Sequence, residues 1–121
     1  MTSILLIEDD PAISMIVEEM LVDIGCKEVT VVGRLQPALE AARNGTFHCA
    51  ILDLKLHGQE TFEVAGVLTE RGVPFAFFTG YGPDSLRQYR SQPVLSKPFA
   101  EADLKATVVR LVGKDPGDPA A

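Results

Sequence analysis

Ser3 to Pro11 reads SILLIEDDP, an unbroken aliphatic run closed by three acids and a proline. Ile4 to Ile7 show no polar alternation, which is the pattern of a strand whose sheet is covered by helices on both faces, so this strand should be central. Pro11 suits a first helical turn, and Ile13, Ile16, Val17, Met20, Leu21 and Ile24 then fall on one helical face before Gly25. The stretch is therefore a strand turning directly into a helix.

The same alternation repeats along the chain. Glu28 to Val32 predicts a second strand and Leu35 to Arg43 a second helix, ended by Asn44 and Gly45. Phe47 to Leu52 predicts a third strand that delivers Asp53 at its carboxyl end, followed by a loop with His57 and Gly58. A helix over Thr61 to Arg71, a strand over Pro74 to Thr79 and a short helix over Pro83 to Tyr89 come next. Pro93 to Ser96 is the last strand, and Glu101 to Val112 a helix with Leu104, Val108, Leu111 and Val112 inward. Five strand-helix units predict an α/β, doubly wound parallel sheet with five helices, a single three-layer domain over residues 1–113. From Lys114 onward, Pro, Gly and Asp predict a disordered tail, 114–121.

Composition narrows the function. The 121 residues are 46% hydrophobic, enough for one core, and carry 11 basic against 17 acidic residues with no Lys/Arg run. That balance argues against a nucleic-acid partner. No segment approaches the about 18 to 20 apolar residues of a membrane span, and Met1 to Ile7 lacks the pattern of a signal peptide, so the expected setting is the cytoplasm, away from membranes. Cys26 and Cys49 lack metal-ligand spacing and read as core residues.

In such sheets, ligands bind beyond the carboxyl ends of the strands. Glu8, Asp9 and Asp10 follow the first strand, Asp53 the third, Thr79 ends the fourth and Lys97 follows the fifth. Clustered carboxylates repel one another, and a hard divalent cation that prefers oxygen ligands relieves this, with Mg2+ the natural candidate. A cation, an ammonium and a hydroxyl around one carboxylate also form the set that phosphoryl transfer requires, because that reaction is mainly positioning and charge neutralisation. Asp53 is the acceptor in this reading. Lys97 pairs with it before transfer and with a phosphoryl oxygen afterwards, while Thr79 donates to another. Taken singly, each residue has a plainer role: Asp9 or Asp10 as a helix cap, Thr79 as packing, Lys97 as a solvated amine. Their joint placement at four strand ends is what the plainer roles leave unexplained.

This constellation resembles the receiver domains of two-component response regulators (CheY-like) over roughly residues 3 to 112. The string from Leu6 to Pro11 is similar to the family's acidic pocket, with Glu8 and Asp9 at the acidic pair and Asp9 as the direct metal ligand. Asp53 matches the phosphoacceptor, Thr79 and Lys97 the hydroxyl and lysine, and Lys97, Pro98 and Phe99 the family's Lys-Pro-Phe. The resemblance implies a flavodoxin-like strand order of 2-1-3-4-5. It also implies a metal shell of Mg2+ (or Mn2+) held by Glu8, Asp9, Asp53 and the main-chain carbonyl of Lys55. A histidine kinase or a histidine phosphotransfer protein is the implied donor. His48 and His57 read as ordinary surface or loop residues, not donors.

Three departures from the family pattern stand out. His57 replaces a usual proline, Thr61 a usual glycine, and Val94 the aromatic ring that typically moves inward on phosphorylation. The string FFTGYG, Phe77 to Gly82, is similar to that of the FAT GUY receivers, a single-domain group often paired with HWE-type or related kinases. On that basis Tyr81 and the turn around Thr79 become the expected mobile element, with Tyr81 and Lys55 as possible obstacles to water. The signal is expected to leave by protein contacts on the face of the last two units (α4-β5-α5 in the family's usual labels), with Leu86, Tyr89 and Arg90 as candidate contacts. A phosphorelay intermediate or phosphate sink fits the same residues. A haloacid-dehalogenase-like phosphatase fits less well, since its signature DxD does not follow the first strand. No separate substrate turnover is expected.

Overall fold

The computed structural model describes residues 2–80 and 83–116. In chain order the elements are β1 (Ser3–Ile7), α1 (Pro11–Asp23), β2 (Glu28–Val32), α2 (Leu35–Asn44) and β3 (Cys49–Asp53). A small hairpin of β4 (Lys55–Leu56) and β5 (Gln59–Glu60) precedes α3 (Phe62–Glu70). Then come β6 (Phe75–Thr79), a 3-10 segment (Pro83–Tyr89), β7 (Val94–Ser96) and α4 (Glu101–Val112). The main sheet is parallel, in the order β2-β1-β3-β6-β7. Without the hairpin strands this is the flavodoxin-like 2-1-3-4-5 order.

Side-chain alternation along the central strands builds two cores. Leu5, Ile7, Ala50, Leu52, Phe75 and Phe77 face α2 and α3. Ile4, Leu6, Cys49, Ile51 and Phe78 face α1 and α4. Every side chain of β3 and β6 is buried, which explains why these strands read as solid apolar runs. Cys26 and Cys49 are free and buried, and burial pushes their thiols up to about 11 and about 12, so they pack as small apolar groups.

Several expectations need correction. There are four α-helices among the described residues; the expected fourth helix is a 3-10 segment interrupted at Arg87, whose φ is 52°. Leu86 is fully buried and so is not an open contact for a partner, while the half-buried Tyr89 stacks 6.0 Å from Phe62 and packs edge-on to Phe75. Ile16 is 54% exposed, because the buried stripe of α1 is rotated toward Ser14 and runs through Val17 and Leu21. Ile16 instead lines an apolar groove of about 360 Å³ with Met20, Lys97 and Phe99. Beyond Gly113 the chain stays against α4: Lys105 Nζ lies 3.6 Å from Asp115 and Pro116 is buried. Residues 117–121, and the Tyr81 and Gly82 of the expected mobile turn, lie outside the described residues. Among the described residues no helix is long and apolar enough to cross a membrane.

This division between core and groove is testable. Leu68, fully buried in α3, should cost about 2 to 5 kcal/mol when replaced by alanine, whereas Ile16→Ala should stay within about 0.5 kcal/mol of wild type in urea denaturation.

Candidate functional site

Parallel register brings the sequence-predicted residues to one sheet edge. β1 and β3 end side by side, with Ile7 opposite Leu52, so Glu8 and Asp9 emerge next to Asp53. Oxygens of Glu8, Asp9 and Asp53 lie within 4.8 Å of one another. β6 and β7 end with Thr79 opposite Ser96, and the Lys97 N–H donates to the Thr79 carbonyl at 3.1 Å. Lys97 Nζ reaches back to Asp53 Oδ1 at 3.3 Å and Glu8 Oε2 at 3.5 Å. Its Nζ lies over the Phe78 ring, 4.3 Å from the centroid, and Phe99 meets Phe78 edge-on at 4.9 Å. The lysine is thus aimed by packing as well as by charge. Thr79 is buried at the end of β6, on the strand adjacent to Asp53. Lys55 opens the hairpin two residues after Asp53 and pairs with Glu60.

Asp10 stands apart from the cluster. It is the N-cap of α1, where its Oδ1 accepts the Ala12 N–H at 2.9 Å, and its own N–H donates to Glu8 Oε1 at 3.2 Å. Gly33 permits a close approach: a Cβ there would sit 3.2 Å from the Glu8 carbonyl and 3.6 Å from Asp9 Cα.

Electrostatics follow from crowding. Burial, and then the neighbouring Asp53 charge, push the Glu8 carboxyl up to about 7 against the Asp10 N–H and Lys97, which lower it. Burial also raises Asp53, while Lys97 opposes the rise. Glu8 is the more deeply enclosed of the two, its side chain 1% exposed against 11% for Asp53, and it lies slightly farther from Lys97, at 3.5 Å against 3.3 Å. Asp9 is lowered, foremost because it accepts the His57 N–H at 2.8 Å. A carboxylate trio crowded within 4.8 Å, fixed on rigid strand ends and offering only oxygen donors, fits a hard divalent cation such as Mg2+.

Two residues of this region escaped the sequence reading as site components. His57 touches Asp9 through its main chain, and the buried Thr61 hydroxyl donates to the Asp53 carbonyl at 2.6 Å, with the Leu54 carbonyl at 3.2 Å. Their departure from the family pattern was the available signal. His48, by contrast, is exposed, and its Nδ1 accepts the Ser3 N–H at 2.9 Å, far from the acidic cluster in the sheet.

The sequence model of the response regulator receiver domain matches residues 4–109. SdrG from Sphingomonas melonis Fr1 is 35% identical, with 93% of this chain and 97% of that one covered at a TM-score of 0.81. The receiver domain of the Pseudomonas aeruginosa PAO1 sensor histidine kinase PA1611, solved with a magnesium ion in its active-site cleft, is 25% identical, covering 93% and 98% at 0.77. The Erythrobacter litoralis PhyR receiver domain is 27% identical, covering 99% and 95% at 0.78. No curated protein gives a match. The chain belongs to the response regulator receiver domain family.

The raised Glu8 makes stability depend on pH in a definite direction. The folded state retains a proton that an unfolded glutamate releases near 4.5, so this contribution is full below that pH and is lost as pH rises through about 7. Cation-free thermal unfolding should show a falling Tm over that interval. Glu8→Gln should flatten the fall, by on the order of 1 to 3 kcal/mol at the alkaline end; an unaltered slope would show that the charge strain resides elsewhere.

Proposed function

We propose that Asp53 accepts a phosphoryl group from the phosphohistidine of a histidine kinase or a histidine phosphotransfer protein, with Mg2+ (or Mn2+) bound at Glu8, Asp9, Asp53 and the Lys55 carbonyl. The observation that carries this reading is the Asp53 carboxylate at a strand end, 3.3 Å from an ammonium and within 4.8 Å of two further carboxylates. Nothing else in the fold presents a nucleophile so accompanied among the described residues.

An Asp53 oxygen forms a bond to phosphorus as the phosphorus–nitrogen bond of the donor breaks, and the imidazole leaves with the electron pair and takes up a proton. The bound cation supplies neutralisation of the transferring oxygens' charge. Lys97 exchanges its Asp53 contact for a phosphoryl oxygen, and the Thr79 hydroxyl donates to another, so both hold the product more strongly than the free acid. That difference in contact is what biases one conformation over another. Because the acceptor is the chain's own side chain, the protein is a phosphorylated signal carrier with no separate substrate. The output is expected on the face formed by the 3-10 segment, β7 and α4, through exposed residues such as Arg90 and Glu101.

A phosphotransfer profile across histidine kinases tests the proposal. Label should appear on wild type, be absent from Asp53→Ala, and fall at least about tenfold in rate for Lys97→Ala. Absence of label from every kinase and from acetyl phosphate with Mg2+ would leave the chain an interaction module that works unphosphorylated.

A further inference from the structure

The connection after Asp53 is a built element. Lys55 pairs with Glu60 and Leu56 with Gln59 in an antiparallel ladder, and His57 and Gly58 form the two-residue turn with φ of 47° and 81°. Positive φ at both turn positions is the type I′ geometry that matches hairpin twist. From this turn the His57 N–H reaches Asp9 Oδ2 at 2.8 Å, across to the loop after β1. At the hairpin's far end Thr61, fully buried, donates its hydroxyl to the Asp53 carbonyl at 2.6 Å, and its N–H to the Leu54 carbonyl at 3.0 Å. One eight-residue stretch therefore grips two of the three clustered acids, one by its side chain and one by its backbone.

Residue chemistry decides who can make these contacts. A proline at 57 has no N–H and holds φ near about −65°, so it can neither donate to Asp9 nor occupy this turn. A glycine at 61 has no hydroxyl. We infer that the Lys55–Glu60 hairpin is a bracket that sets the spacing of Asp9 and Asp53, with His57 and Thr61 as positioning residues for the cation and for phosphoryl acceptance. Groups that orient a ligand from outside the metal shell commonly change metal affinity about 10- to 100-fold when removed. The Thr61 bond acts differently: it fixes the peptide that carries the acceptor and leads to the Lys55 carbonyl. Its loss removes a 2.6 Å donor from the carbonyl of a buried strand residue. The inference rests on the phosphoryl-acceptor reading for Thr61 but not for His57, where binding of the cation alone is the readout.

Titration calorimetry of Mg2+ into the unphosphorylated chain tests the first donor. His57→Gly keeps the N–H and tolerates the turn, and should bind within about twofold of wild type, whereas His57→Pro should bind at least about tenfold more weakly. Equal or tighter binding by His57→Pro, or equal loss in both variants, overturns the bracket. Should His57→Pro fail to fold, amide exchange in wild type decides: His57 N–H should be protected at least about tenfold relative to the Gly58 amide, and an unprotected amide overturns it. For the second donor, acetyl phosphate labelling of Asp53 at saturating Mg2+ should slow at least about tenfold in Thr61→Val, an isosteric change, and recover in Thr61→Ser. A wild-type rate in Thr61→Val, or no recovery with serine, overturns that role. If wild type binds Mg2+ yet takes no phosphoryl group, the functional reading fails while the calorimetry still judges the bracket.

Discussion

Charge crowding at one sheet edge organises this protein. Glu8, Asp9 and Asp53 have oxygens within 4.8 Å of one another, and a single ammonium, Lys97, is shared between two of them. Burial, and then the neighbouring Asp53 charge, hold the Glu8 carboxyl well above the ordinary carboxylate range. The energetic cost of that arrangement is tolerable because Asp53 ends the fully buried β3 and Glu8 and Asp9 follow β1, buried from Ile4 to Ile7, so the acids cannot relax apart. Stability is thereby given up at the place where a cation and a phosphoryl group would later recover it.

Most of the architecture was legible because parallel strands covered on both faces must be continuously apolar, and Ile4 to Ile7, Ala50 to Leu52 and Phe75 to Phe78 are so. The bounds of β1, β2 and α4 agree with the sequence expectation residue for residue. The acidic cluster was legible for the same reason, since strand ends in such a sheet converge. Ile16 misled because helical periodicity gives a face but not its rotation, and α1 turns toward Ser14 to meet the sheet. The hairpin was invisible because its ladder is two residues long and its contact with Asp9 is made by a backbone N–H, which carries no residue signature. The 3-10 segment is similar: seven residues with Pro83 and a left-handed Arg87 hold no sustained period.

The space around Val94 has a structural answer that the sequence did not suggest. Val94 pairs with Phe77 across the β6–β7 register, and Tyr89 brings a ring from the preceding segment to 6.1 Å from the Phe77 centroid. Arg87 in the same segment holds Glu60 at 3.1 Å and lies over Phe62, 5.0 Å from its centroid. Aromatic packing between β6 and the following segment is therefore present, with the ring supplied from before β7 instead of from within it. The 3-10 segment is tied by these contacts to the residues on either side of Thr61, and hence to the peptide that bears Asp53.

β7 also bears on how the molecule keeps its own company. It is an edge strand only three residues long, and Pro93 and Pro98 stand close on either side, each without an amide hydrogen. An incoming strand would find too few free donors there to extend the sheet, which guards a highly apolar interior against edge-to-edge aggregation. Whatever docks on that border must be recognised by its side chains, and copies of the chain can be crowded together without templating one another through it.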